Sequence, residues 1–150
     1  MKQGKSDRIR SKKEYEMKKV TNYLYYIAMA GLLFWFAYTK GWIFANFESI
    51  SPKQAITLIE NDNNITLLDV RTPAEFKSGH LRNATLIPLD KLETNLSKLA
   101  PYKNKKILVY CRSGNRSVAA SRILEGHGFQ PVNIKNGIVG LIGAKAEIVK

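Results

Sequence analysis

From Val20 to Thr39 the chain runs 20 residues without a charge, mostly Leu, Ile, Ala, Phe, Tyr and Met. At 1.5 Å rise per residue such a run spans about 30 Å as a helix, the thickness of a bilayer's hydrocarbon core. Core helices of soluble domains seldom reach that length without one charge. Tyr23, Tyr25 and Tyr26 mark one end, and Tyr38 and Trp42 the other. Amphipathic rings favour both interfaces, so the pattern predicts a transmembrane helix within residues 20–45. The run is longer than the apolar part of a secretory signal, and Trp42-Ile43-Phe44-Ala45-Asn46-Phe47 offers no small-x-small cleavage site. An uncleaved anchor is expected.

The charge around that segment sets its direction. Residues 1–22 carry eight Lys/Arg against three Asp/Glu, whereas only Lys40 and Lys53 follow closely. The positive-inside rule then keeps the basic segment, residues 1–19, cytoplasmic and puts residues 48–150 across the membrane, in a bacterium the periplasm. The net charge of +12 also raises nucleic acid as a partner. Beyond residue 22 the basic residues are scattered singly, apart from Lys103, Lys105 and Lys106, with no basic-and-aromatic stripe for stacking bases. A nucleic-acid partner is not expected.

Residues 48–150 are enough for one small core. Ser51-Pro52-Lys53-Gln54 reads as a helix start, with Ser as N-cap, Pro at N1 and Gln at N3, and Asn61-Asp62-Asn63-Asn64 as its end. Thr72-Pro73-Ala74-Glu75 repeats the start signal for a short helix closed by Gly79. Ile65–Val70 and Lys106–Tyr110 are short apolar runs of the kind found in strands buried on both faces. Ala84–Ile87, stopped by Pro88, and Pro131–Ile134 read as further strands. A helix capped by Asp90 and Glu93 is expected to carry Leu92, Leu96 and Leu99, and another to span Ser117–His127. The alternation predicts an α/β fold: a small, mostly parallel sheet with helices on both faces, preceded by one transmembrane helix.

The single cysteine, Cys111, follows a predicted strand and opens the loop Cys111-Arg112-Ser113-Gly114-Asn115-Arg116-Ser117, which leads into a predicted helix. Ligands of open α/β sheets collect at the carboxyl ends of strands. Free N–H groups at a helix start favour negative charge, and Gly114 allows a turn whose amides converge. Arg112 and Arg116 add positive charge. Each effect favours thiolate over thiol and lowers a cysteine's pKa, so Cys111 is the candidate nucleophile. His80 and His127 lie far apart with no second cysteine, so no metal site is expected. No Gly-x-Ser-x-Gly, Walker or Gly-x-Gly-x-x-Gly motif occurs, and no cofactor is called for.

The set Leu68-Asp69-Val70-Arg71, Glu75-Phe76, Gly79-His80-Leu81 and Ile87-Pro88 resembles the front signature of rhodanese domains, and the Cys111–Ser117 loop resembles their active-site loop. The resemblance covers about residues 48–140. It implies sulfane-sulfur transfer: a Cys111 thiolate attacks a small sulfur-containing anion, thiosulfate or a polysulfide, and the persulfide passes to a thiol or other sulfur acceptor. It implies that the amides from Arg112 to Ser117 hold the anionic sulfur, that Arg116 attracts the donor, and that Asp69, Arg71, Glu75 and His80 organise the surroundings. Related dual-specificity phosphatases place five residues between cysteine and arginine, whereas four stand between Cys111 and Arg116, a cradle better matched to sulfur than to phosphate. The chain departs from the signature at Asn83 (usually glycine), Leu86 (usually asparagine), Asn136-Gly137 (usually Gly-Gly) and Leu141 (often tryptophan). Three functions fit this reading: an anchored sulfurtransferase, a persulfide carrier or sensor without fast turnover, and an inert interaction module serving a membrane partner.

Overall fold

The computed structural model describes residues 3–40, 43 and 45–150; Trp42 and Phe44 lie outside them. Two compact units result, residues 1–38 and 39–150. The first is the helix α1 (Gln3–Thr39). It contains the apolar run and extends through the basic segment, where Lys, Arg and Glu are good helix formers and proline is missing. Over Lys12–Thr39 it is long and apolar enough to cross a membrane. It closes at Thr39, and Ala45 and Asn46 are already irregular.

The second unit is α/β. After β1 (Glu48–Ile50), Ser51 caps α2 (Pro52–Asn61) through a complete capping box with Gln54. Next come β2 (Ile65–Asp69), α3 (Pro73–Lys77), β3 (His80–Leu81) and β4 (Thr85–Leu86). The chain continues through β5 (Lys106–Tyr110), α4 (Asn115–Gly126), β6 (Gln130–Ile134), α5 (Gly137–Gly143) and β7 (Ile148–Val149). Five strands form one parallel sheet in the order β1-β6-β5-β2-β4. β3 and β7 pair antiparallel beside it.

Successive residues of a strand face opposite ways, so each central strand feeds two cores. Leu68, Val70, Ile107 and Val109 pack with Leu92, Leu99, Ala120 and Leu124. Leu67, Leu108, Val132 and Ile134 pack on the other face with Ala55, Ile138 and Leu141. Burial on both faces is why these strands are mostly apolar. Leu141, in the frequent tryptophan position, is fully buried in the second core.

Residues 89–102 differ from expectation. They form two 3₁₀ segments, Leu89–Lys91 and Glu93–Tyr102, with no side-chain cap from Asp90. Asn95 leaves helical geometry and Pro101 removes a donor, so a regular α-helix cannot propagate. Leu92 and Leu99 still reach the core. Helix α4 begins at Asn115, two residues before the expected Ser117, so Arg116 and Ser117 belong to its first turn.

Candidate active site

From β2 the chain passes to β4 on one side, and from β5 through α4 to β6 on the other. The carboxyl ends of β2 and β5 are therefore the point where the connections diverge, the usual ligand crevice of a parallel sheet. Asp69 ends β2, and Cys111 directly follows β5.

The loop is shaped around the sulfur. Gly114, at φ 102°, is the N-cap of α4, a conformation suited to glycine. Its N–H donates to Cys111 Sγ at 3.1 Å. Ser117 Oγ lies 3.7 Å from the sulfur and donates to Gly114 O at 3.0 Å, bracing the turn. Cys111 is 1% exposed. The candidate nucleophile thus sits at the floor of the loop, almost fully buried.

A second support comes from the start of α5. The N–H of Ile138 donates to Cys111 O at 2.8 Å, and that of Val139 to Arg112 O at 3.3 Å. Gly137 permits this approach: a Cβ there would lie 2.2 Å from Cys111 O. Asn136 stands at φ 61° and Asn83 at φ 62°. Both stand where the family pattern usually has glycine, and asparagine is among the side chains that best tolerate this left-handed region.

The two loop arginines divide their roles. Arg116 forms a two-pronged ion pair with Glu75, Nη1 to Oε2 at 2.8 Å and Nη2 to Oε1 at 2.7 Å. The pair compensates its charge locally and ties the first turn of α4 to α3. Arg112 is exposed and has no hydrogen-bond or ion-pair partner among the described residues. Ser113 and Asn115 are exposed on the same loop. Lys40 Nζ donates to Asn115 Oδ1 at 3.0 Å.

Glu75 has a double task. It completes the capping box of α3, accepting from Thr72 N–H at 3.0 Å, and it receives Arg116. The hydrogen bond from Arg116, helped by Thr72, holds its carboxyl down at about 2 despite partial burial. A depressed carboxyl stabilises the fold fully above its unfolded value, about 4.5, and loses that contribution as pH falls from there through about 2. Glu75→Gln is therefore expected to be less stable than the parent near pH 7. The gap should close between about pH 4.5 and 2 in thermal melts; a gap independent of pH would contradict the ion pair's role.

Behind the loop, Asp69 and Arg71 form a buried pair, Nη2 to Oδ2 at 2.7 Å, with exposures of 0% and 4%. Arg71 Nη2 also donates to Gly79 O at 2.7 Å and so holds the turn after α3. Tyr110 lies beneath: Arg71 stands over its ring, and its hydroxyl accepts from Leu81 N–H at 3.2 Å. Burial, then the charge of Asp69, raises the Tyr110 phenol well above its ordinary value, so it stays neutral. His80 stacks on Phe76 at 3.7 Å, and its Nδ1 lies 3.1 Å from Phe76 O. No hydrogen bond joins it to the loop among the described residues, so it belongs to the α3–β3 corner. Sequence reasoning passed over Tyr110, α5 and the amides of Ile138 and Val139. The Asn136-Gly137 step was the one signal for them. Among the described residues no cluster of His, Cys, Asp or Glu is able to hold a metal.

Known proteins are similar to this chain in sequence and fold. The family profile described as Rhodanese-like domain matches residues 51–144. A sulfurtransferase of Allochromatium vinosum is 33% identical over 93 residues, 61% of this chain and 80% of that protein. A tRNA uridine(34) hydroxylase of Cronobacter sakazakii is 37% identical over 84 residues, 53% of this chain and 24% of its own length. The chain thus spans only about a quarter of that relative. Among solved structures, a rhodanese-related protein of Thermoplasma volcanium superposes with a TM-score of 0.62 at 34% identity, covering 69% of this chain and 98% of that one.

Proposed function

Because the chain belongs to the rhodanese-like domain family, we propose that it is a membrane-anchored sulfurtransferase working through a persulfide on Cys111. The single observation that carries this reading is the Gly114 N–H aimed at Cys111 Sγ from the start of α4. In the proposed cycle the Cys111 thiolate attacks the outer sulfur of thiosulfate or a polysulfide. The sulfur–sulfur bond of the donor breaks, and its electron pair leaves with sulfite or the shortened polysulfide. The terminal sulfur now on Cys111 carries the negative charge that loop amides stabilise, in the manner of an oxyanion hole. A thiol or other sulfur acceptor then removes it and regenerates the thiolate. Arg112 supplies the free positive charge for the donor, while Glu75, Arg116, Asp69 and Arg71 fix the loop and its surroundings.

The name of the Allochromatium relative supports sulfur transfer. The hydroxylase relatives lend support only to their shared portion, since most of their length has no counterpart here. Burial of Cys111 favours a second reading, a carrier that loads once and turns over slowly. The test is Cys111→Ser in a thiosulfate:cyanide assay with circular dichroism alongside. Turnover is expected in the parent and none in the folded variant; retained turnover in Cys111→Ser would exclude the mechanism. Loading without turnover in the parent would establish the carrier instead.

The proposal extends to location. Helix α1 would anchor the protein in a single pass, with residues 1–19 in the cytoplasm and the catalytic unit on the periplasmic side. In intact spheroplasts an external protease is then expected to remove the catalytic unit. Protection until lysis would reverse the orientation.

A further inference from the structure

Between the buried Val132 and Ile134, strand β6 carries an amide, Asn133, that is only 3% exposed. The parallel register sets it beside Ser49 of β1, and its Nδ2 donates to Ser49 Oγ at 3.1 Å. Its Oδ1 is buried and accepts no hydrogen bond among the described residues. A buried acceptor without a donor is unfavourable, so this one points to a donor from outside the chain. Ser49 and Asn133 line a cavity of about 380 Å³, bounded also by Ser113 and Asn115 of the Cys111 loop and by Lys40 and Lys135. Neither Cys111 nor Arg112 is part of its wall, so it is separate from the crevice of the candidate nucleophile. No carboxylate lines it, and Lys135 has no ion-pair partner among the described residues. Two ammonium groups and two hydroxyls suit the oxygens of a phosphate ester, and the lone amide oxygen suits a hydroxyl beside it. Lys40 directly follows Thr39, the last residue of α1, so the chain itself ties one of these cations to the end of the apolar helix.

We propose that this cavity binds the headgroup of an anionic phospholipid that carries a hydroxyl. Its phosphodiester lies on Lys40 and Lys135, and its hydroxyl donates to the amide oxygen of Asn133. The inference rests on insertion of α1 in a bilayer and is independent of sulfur transfer.

The test is native mass spectrometry of the full chain released from phosphatidylcholine nanodiscs that also hold equal parts of phosphatidylglycerol and phosphatidylmethanol. The last two share one charge, but only the first has headgroup hydroxyls. One phosphatidylglycerol is expected to stay bound in preference to phosphatidylmethanol. Lys135 is exposed, so Lys135→Gln should keep the fold while lowering that retention about tenfold, the scale of one lost charge-assisted hydrogen bond. Lys12→Gln/Lys13→Gln, on α1, should leave the preference unchanged. Equal retention of the two anionic lipids overturns the proposal, as does a preference that responds to the α1 pair and not to Lys135→Gln. Glycerol phosphate that binds as tightly in phosphatidylglycerol discs as in phosphatidylmethanol discs would also overturn it, by assigning the cavity to a soluble ester. Failure of the chain to enter the discs would overturn the anchor, and this inference with it.

Discussion

Gly137→Ala is expected to destabilise the α/β unit by about 3–5 kcal/mol, the range reserved for severe packing and backbone faults. The added Cβ would stand 2.2 Å from Cys111 O and 2.8 Å from both Arg112 C and Arg112 O. These are backbone atoms held in a loop, so they cannot swing aside. The residue also sits at φ 52°, which strains any side chain by about 1–2 kcal/mol before contacts are counted. Relief requires α5 to withdraw, breaking the bond from Ile138 N–H to Cys111 O. For a domain of this size the melting temperature should fall by roughly 12 °C or more. Sulfur transfer should drop even at temperatures where the variant is folded. A melting temperature within about 2 °C of the parent would show that α5 does not clamp the loop.

Asp69→Ala should do comparable harm by a different route. Arg71 is nearly enclosed and donates to Asp69 through its backbone N–H, Nε and Nη2. Among the described residues, removing the carboxylate leaves a buried guanidinium with Gly79 O as its remaining hydrogen-bond acceptor. Breaking one side of such a pair typically costs about 3–5 kcal/mol, while replacing both sides with apolar groups is often close to neutral. Asp69→Ala/Arg71→Met should therefore be more stable than Asp69→Ala alone in thermal melts. If the single variant matches the parent, or the double variant is worse than the single, the pair does not hold the corner between β2 and α3.

The parts of the fold legible in the sequence were those governed by local rules. Ser51 and Thr72 cap their helices with Gln54 and Glu75 as the spacing demands. The apolar runs at Ile65 and Lys106 form adjacent parallel strands. Elements stabilised by distant partners left weaker traces. β1 is three residues long and exists because β6 pairs with it. β3 and β7 are two residues each, from segments far apart in the chain. Helix α5, Gly137-Ile-Val-Gly-Leu-Ile-Gly, is poor in helix formers and is fixed by its contact with the Cys111 loop.

The site followed the same division. The loop, Asp69, Arg71 and Glu75 were readable as residues, but their pairings were not. That Arg116 meets Glu75, 41 positions away, depends on β2 and β5 being neighbours with α3 and α4 above their ends. With that pairing formed, Arg112 is the loop arginine without a hydrogen-bond or ion-pair partner among the described residues, a distinction that charge and spacing alone do not make. Asn83 and Asn136, departures by letter, both stand at a positive φ that asparagine tolerates.

The most direct measurement is intact-mass spectrometry of the full chain after brief exposure to thiosulfate or polysulfide. A gain of one sulfur atom on Cys111, removed by dithiothreitol and missing in Cys111→Ser, is the predicted result. A folded protein whose mass stays unchanged with both donors would contradict the proposal that this sulfur, held beneath the Gly114 amide, is a carrier of sulfur.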